Sequence, residues 1–174
     1  YFNPTLRVLY ICPSNNVQDK WFSREYRSFI KRNVKVAQYR IRTADGKSAV
    51  PRISCRNVPE LISTSSSGYY ADFFVGMNAF SLSLTDDPAL WERELVKLEL
   101  LLPAYRRRGR IENKQSVKEQ YARALNYILP TFDLVVIDEA HKFKHSFESS
   151  DRNKVLSGVL GFRYEDGFVP RVKH

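Results

Sequence analysis

Leu134, Val135, Val136 and Ile137 are four consecutive aliphatic residues, three of them β-branched, and the run stops at two adjacent carboxylates, Asp138 and Glu139. The run is too short for a buried helix and has the length and branching of a strand covered on both faces. Strands of that kind occur in parallel sheets flanked by helices, so this one segment points to the α/β class. It also sets an energetic condition. Carboxylates at the end of an apolar strand are costly unless positive charge lies near them.

The remaining segments alternate in the way the class requires. Leu6 to Ile11 reads as a buried strand stopped by Cys12 and Pro13. Ser14, Asn15 and Asn16 then offer helix caps, and Val17, Trp21, Phe22, Tyr26, Phe29 and Ile30 recur at helical spacing. Val34 to Arg42 is rich in β-formers, and Asp45-Gly46 predicts a tight turn into Ala49 to Ser54, giving a strand and a small hairpin. Pro59 and Glu60 open a short helix, and Ser63 to Gly68 reads as a polar loop. Phe73, Phe74 and Val75 predict a core strand within residues 70–80. Asp86, Asp87 and Pro88 start a helix whose apolar stripe is Trp91, Leu95, Leu98 and Leu102, ended by Pro103. A basic turn, Arg106 to Arg110, comes next. Ser116 with Glu119 matches a capping box for a helix carrying Val117, Tyr121, Leu125 and Ile128, closed by Pro130. Asn153 to Leu160, with Gly158 and Gly161, predicts a last short helix.

Strands separated by helices predict a three-layer α/β sandwich with a mostly parallel sheet. Ligands of such folds sit at the carboxyl ends of the strands, where this chain has Cys12-Pro13-Ser14 and Asp138-Glu139-Ala140-His141. A magnesium-bound nucleotide would satisfy the two carboxylates. Asp138 would hold the metal, directly or through its water shell, Glu139 would orient and deprotonate an attacking water, and His141 would lie beside the γ-phosphate.

Composition narrows the classes. The 174 residues are 43% hydrophobic and 13% aromatic, enough for one core, which excludes disordered and disulfide-stapled miniature folds. Lys and Arg number 28 against 19 Asp and Glu, a charge of +9 that favours polyanionic partners. No apolar run approaches a membrane span, and Tyr1 to Thr5 carry no targeting pattern. Cys12 and Cys55 are too few for a disulfide framework and sit in no metal-ligand spacing, so a reducing, cytoplasmic compartment is expected.

Leu134 to His141 resembles the Walker B motif, motif II, of superfamily-two helicases and translocases. Val8 to Ser14, followed by Trp21 and by Arg24-Glu25-Tyr26, resembles motif Ia of the Swi/Snf-like branch. The resemblance implies a RecA-like ATP-binding domain acting with ATP and Mg²⁺ on nucleic acid, most simply double-stranded DNA. It gives Asp138 the metal, Glu139 the water and His141 a link to an opposing domain, and it gives Pro13 and Ser14 a contact with nucleic-acid phosphate. The wide spacing of the two motifs fits bacterial members that carry insertions, and residues 43–68 read as one. No G-x-x-x-x-G-K-[ST] phosphate loop and no Ser/Thr-Ala-Thr motif III occurs, nor any second RecA-like domain. The chain therefore reads as part of a first motor domain within a longer polypeptide, inactive alone.

Each site also has a plainer reading. Ser14 caps a helix whether or not it touches phosphate. Arg106, Arg107, Arg108 and Arg110 form a solvated loop or a phosphate track. His141 and His145 have helical metal spacing but no third ligand. An RNA helicase, a restriction or phage-defence motor subunit, and a basic binding module without catalysis are the competing functions.

Overall fold

The computed structural model describes residues 6–26, 28, 32, 52–68, 70–82, 84, 87, 90–93, 96, 113–140, 150–163 and 166–173. The chain divides into two units, the first made of Tyr1–Ala79, Phe132–Ala140 and Val172–His174, the second of Phe80–Thr131 and His141–Arg171.

The first unit is built on a four-stranded parallel sheet in the order β2-β3-β1-β4, with β1 Val8–Cys12, β2 Arg52–Cys55, β3 Asp72–Gly76 and β4 Leu134–Ile137. Phe73, Phe74 and Val75 are fully buried, as are Leu9 and Ile11 of the neighbouring strand. Helices lie on both faces. On one, α1 (Asn15–Lys20) runs into a π-helical turn, Trp21–Glu25, and the rings of Phe22 and Tyr26 meet Phe74 edge to face at 5.6 and 5.3 Å. On the other, α2 (Val58–Ser66) buries Val58, Leu61 and Ser65, and the Cys55 thiol lies 3.6 Å from the Thr64 hydroxyl. An α/β fold with a parallel sheet was the expectation, and it holds.

One local expectation is extended and another is corrected. Arg52–Cys55, expected as one arm of a small hairpin whose other arm lies outside the described residues, is a parallel partner of β3, with Arg52 opposite Asp72. It forms a βαβ unit with α2 and β3, because a parallel neighbour must be reached through a crossover helix. The described part of residues 43–68 is thus the strand β2 and its helix; Val34 to Arg42 and the Asp45-Gly46 turn lie outside the described residues. The serine-rich stretch is helix as far as Ser66 and not loop, with only Ser67 and Gly68 turning out of it. Ser63 and Thr64 donate to the Glu60 carbonyl (3.0 and 2.7 Å), and Ser65 and Ser66 to that of Ile62 (2.9 Å each). Hydroxyls that fold back on preceding carbonyls stop competing for other backbone groups, and burial of one helix face outweighs their modest helix propensity.

The second unit packs α3 (Lys114–Ile128) against α4 (Asp151–Leu160). The capping box at the start of α3 is Asn113 with Ser116, not Ser116 with Glu119. Glu119 is engaged elsewhere, 3.0 Å from Arg123 and 2.9 Å from Arg163. Val117 and Ala124 form a core with Leu82, Leu84, Trp91 and Tyr121. Residues 90–93 are helical as expected, while most of the helix proposed up to Pro103 lies outside the described residues. Ser150 caps α4, whose end is Gly161 in the left-handed region at φ 80°.

A Cβ at Gly161 would stand 2.1 Å from the Val169 carbonyl oxygen, so side-chain and backbone conflicts coincide there. Gly161→Ala is expected to lower stability by more than about 2 kcal/mol, read as the shift of a urea unfolding midpoint. No helix among the described residues is long and apolar enough to cross a membrane.

Candidate nucleotide and phosphate site

Because all four strands run the same way, their carboxyl ends share one edge of the sheet. Ile11 lies opposite Ile137 and Cys12 opposite Gly76, and the Asp138 amide donates to the Ile11 carbonyl at 3.0 Å. Pro13 and Ser14 therefore follow β1 directly beside Asp138 and Glu139, which follow β4. Two segments more than a hundred residues apart in sequence meet through adjacency of their strands. His141 and the arginines Arg106, Arg107, Arg108 and Arg110 lie outside the described residues, as does His145.

Ser14 has extended backbone (φ −153°, ψ 165°) and caps α1, its hydroxyl accepting from the Val17 amide at 3.4 Å. That is a long bond, so the hydroxyl is only loosely committed to the helix. Asp138 is half-buried and Glu139 exposed. Glu139 has φ 60°, and among the described residues no other non-glycine has positive φ. Left-handed backbone costs an L-residue about 1 to 2 kcal/mol, and a Cβ-bearing residue keeps it where the surrounding structure over-determines the turn. Glu139→Gly is expected to raise unfolding stability by about 1 kcal/mol by relieving that strain, while removing the carboxylate. A thermal unfolding comparison with Glu139→Gln, which keeps the strain, checks it.

Several residues at this edge escaped sequence reasoning. Gln18, 4% exposed, reaches from α1 across the sheet ends, its amide nitrogen 2.9 Å from the Ser54 hydroxyl, 2.8 Å from the Cys55 carbonyl and 3.0 Å from that of Phe74. This ties the helix that begins at Ser14 to β2 and β3. A polar residue next to the apolar stripe was its one signal. Gly76 lets the first turn of α1 come close, since a Cβ there would lie 2.6 Å from Asn15 Oδ1. Burial, reinforced by the charge of Asp138, pushes the Cys12 thiol up to about 12, so it stays protonated and inert beside the carboxylate.

The donor set decides what metal could sit here. No group of three or more His, Cys, Asp or Glu side chains able to hold a metal occurs among the described residues. A resident structural or catalytic metal with an all-protein shell needs more ligands than that. Mg²⁺ differs, binding through one or two carboxylates, waters and substrate phosphates, and the pair Asp138 and Glu139 fits that demand. No family model, curated protein or solved structure matches this chain.

Proposed function

We propose that this chain is part of the ATP-hydrolysing, RecA-like motor domain of a nucleic-acid translocase of the superfamily-two, Swi/Snf-like kind. The observation that carries the reading is the strained backbone of Glu139, placed immediately after an apolar strand on the edge where α/β sheets bind ligands. In this reading Asp138 holds the Mg²⁺ that accompanies ATP, and Glu139 aligns and deprotonates water for attack on the terminal phosphate. Mg²⁺, when bound, neutralises charge on the phosphates. Ser14 and Pro13, at the adjacent strand end, contact the backbone of double-stranded DNA, with Arg106, Arg107, Arg108 and Arg110 extending the basic track. His141 relays the state of the nucleotide to the opposing domain. Contacts of this sort grip phosphates, so sequence-independent binding is expected.

The far side of β4 supports the reading as well. Leu134 is 40% exposed and the rest of the strand only half-buried, unlike β1 and β3. Val172 pairs in parallel with Phe132, and the Lys173 amide donates to the Phe132 carbonyl at 3.0 Å. A further parallel strand can run along that edge, as a larger RecA-like sheet requires. The phosphate loop that would cradle ATP is not in this sequence, so tight binding and turnover belong to the longer polypeptide. Nucleic-acid-stimulated ATP hydrolysis, measured on the longer protein and on the 174-residue chain, tests the proposal. Activity in the longer protein that vanishes in the chain is the expected result; no stimulated hydrolysis in either leaves a basic binding module without catalysis.

A further inference from the structure

We propose that Asp72 and Tyr26 form a protonation-controlled latch that holds the π-helical turn Trp21–Glu25 against the sheet. Asp72 opens β3 and is 5% exposed, on the sheet face covered by α1 and the π-helical turn. Tyr26, the residue that ends the turn, donates its hydroxyl to Asp72 Oδ2. Tyr10 of β1 and Arg52 of β2 flank the carboxyl from the two adjacent strands. The Tyr10 ring meets Tyr26 edge to face at 5.6 Å and stacks on Phe74 at 4.5 Å. The Arg52 guanidinium spends its charge on rings, 5.1 Å from the centre of Phe22 and 5.7 Å from that of Tyr26, and its Nε is buried without a hydrogen-bond partner. Among the described residues no cation closes on Asp72 as an ion pair. The carboxyl is thus sealed under the turn with one hydroxyl donor.

A neutral carboxyl suits that site, and a carboxylate does not. Burial pushes Asp72 up to about 6, outweighing the Tyr26 hydrogen bond and the Arg52 charge, which both act downward. The other groups facing it do not titrate near neutrality: burial and the Asp72 charge raise Tyr10 to about 12 and push Tyr26 up further. The folded value lies above the ordinary 3.8, so the latch is strongest below that pH and weakens as pH rises toward about 6. A π-helical turn is a rare insertion into an α-helix, met frequently at functional sites, and here it ends at the residue that bonds Asp72. The helix that starts at Ser14 is therefore anchored in a pH-dependent way, whatever chemistry the sheet edge performs.

Hydrogen exchange of the 15–26 peptide in the 174-residue chain, corrected for intrinsic rate and read from pH 4.5 to 7.5, tests the latch. Protection should fall at least tenfold across that range and by on the order of 100-fold at most, and the opening constant it reports should reach half of its high-pH plateau, its midpoint, near 6 in the native chain. Asp72→Asn should abolish the pH dependence. Tyr26→Phe should move the midpoint upward, because the hydrogen bond it removes favours the carboxylate. A pH-independent native profile, a transition retained in Asp72→Asn, or a downward shift in Tyr26→Phe would each overturn the proposal, and the last two do not both require Asp72→Asn to fold.

Discussion

Nucleic-acid-stimulated ATP turnover in Glu139→Gln is expected to drop by roughly 10²- to 10⁴-fold, the range a positioned general base contributes, with nucleotide binding retained. The substitution keeps the size of the side chain and the left-handed backbone at this position, so loss of turnover reports the missing base and not a rearranged turn. The assay belongs to the longer protein, with single-turnover hydrolysis and fluorescent-nucleotide binding measured side by side. Turnover retained within a few-fold would remove Glu139 from the role given to it. Asp138→Asn makes the complementary prediction: with Asp138 in its proposed role as a Mg²⁺ ligand, the substitution should raise the concentration of Mg²⁺ needed for turnover. Glu139→Gly, which removes the proposed base and relieves the left-handed strain, is expected to be more stable and inactive.

The second large effect concerns the unit that contains α3 and α4. Asn126 is 4% exposed, and its side chain makes three hydrogen bonds to main chain from the middle of the unit. Its Nδ2 donates to the carbonyls of Val159 (3.0 Å) and Val169 (2.8 Å), and its Oδ1 accepts from the Val169 amide (2.9 Å). The bond to Val159 links α3 to α4, and the pair at Val169 fixes the segment that returns over both helices. The Arg171 guanidinium adds Nε to the Asn126 carbonyl at 2.7 Å and NH2 to that of Tyr127 at 2.9 Å. Asn126→Ala leaves three partners of the amide without it, each worth about 1 kcal/mol or more when desolvated, and opens a small cavity. A loss of about 3 to 5 kcal/mol is expected in denaturant unfolding, a large share of a domain's total stability. Tyr127→Ala, next in sequence and 58% exposed, should shift the same midpoint far less. Equal effects would mean that the Asn126 network is not what holds the segment.

The particular residues show where sequence patterns carry and where they stop. Leu134 to Ile137, Phe73 to Val75 and most of Leu6 to Ile11 announce themselves as strands by unbroken apolar runs, but only β1 and β3 are buried as that pattern predicts, while β4 is exposed at Leu134 and half-buried beyond it. The expected strand from Leu6 begins two residues later, at Val8. Asn113 and Ser116 against Ser116 and Glu119 is a near miss of a different origin. Only Ser116 and Glu119 have the Ser-x-x-Glu form, but the helix begins a turn earlier, so Asn113 takes the cap with Ser116 as its partner, and Glu119 is held instead by Arg123 and Arg163. The Ser63 to Ser66 stretch has loop composition and is helical where the burial of Val58, Leu61 and Ser65 rewards helix formation. Arg52–Cys55 has ordinary strand composition, but nothing in such a stretch says whether its partner runs parallel or antiparallel. At the site, Pro13, Ser14, Asp138 and Glu139 were legible as strand-end residues, whereas Gln18 was one polar residue among many.

Order along the chain therefore determined the α/β class, the strands and the residues that stand at their carboxyl ends, since these depend on local periodicity and on the alternation of strand and helix. Tertiary structure alone decided the parallel pairing of β2, the left-handed backbone of Glu139, the clamp of Gln18 and the sealing of Asp72 beneath Tyr26. Each of these is a contact or a torsion set by residues distant in the chain, and its energy exists only once the sheet has brought them together.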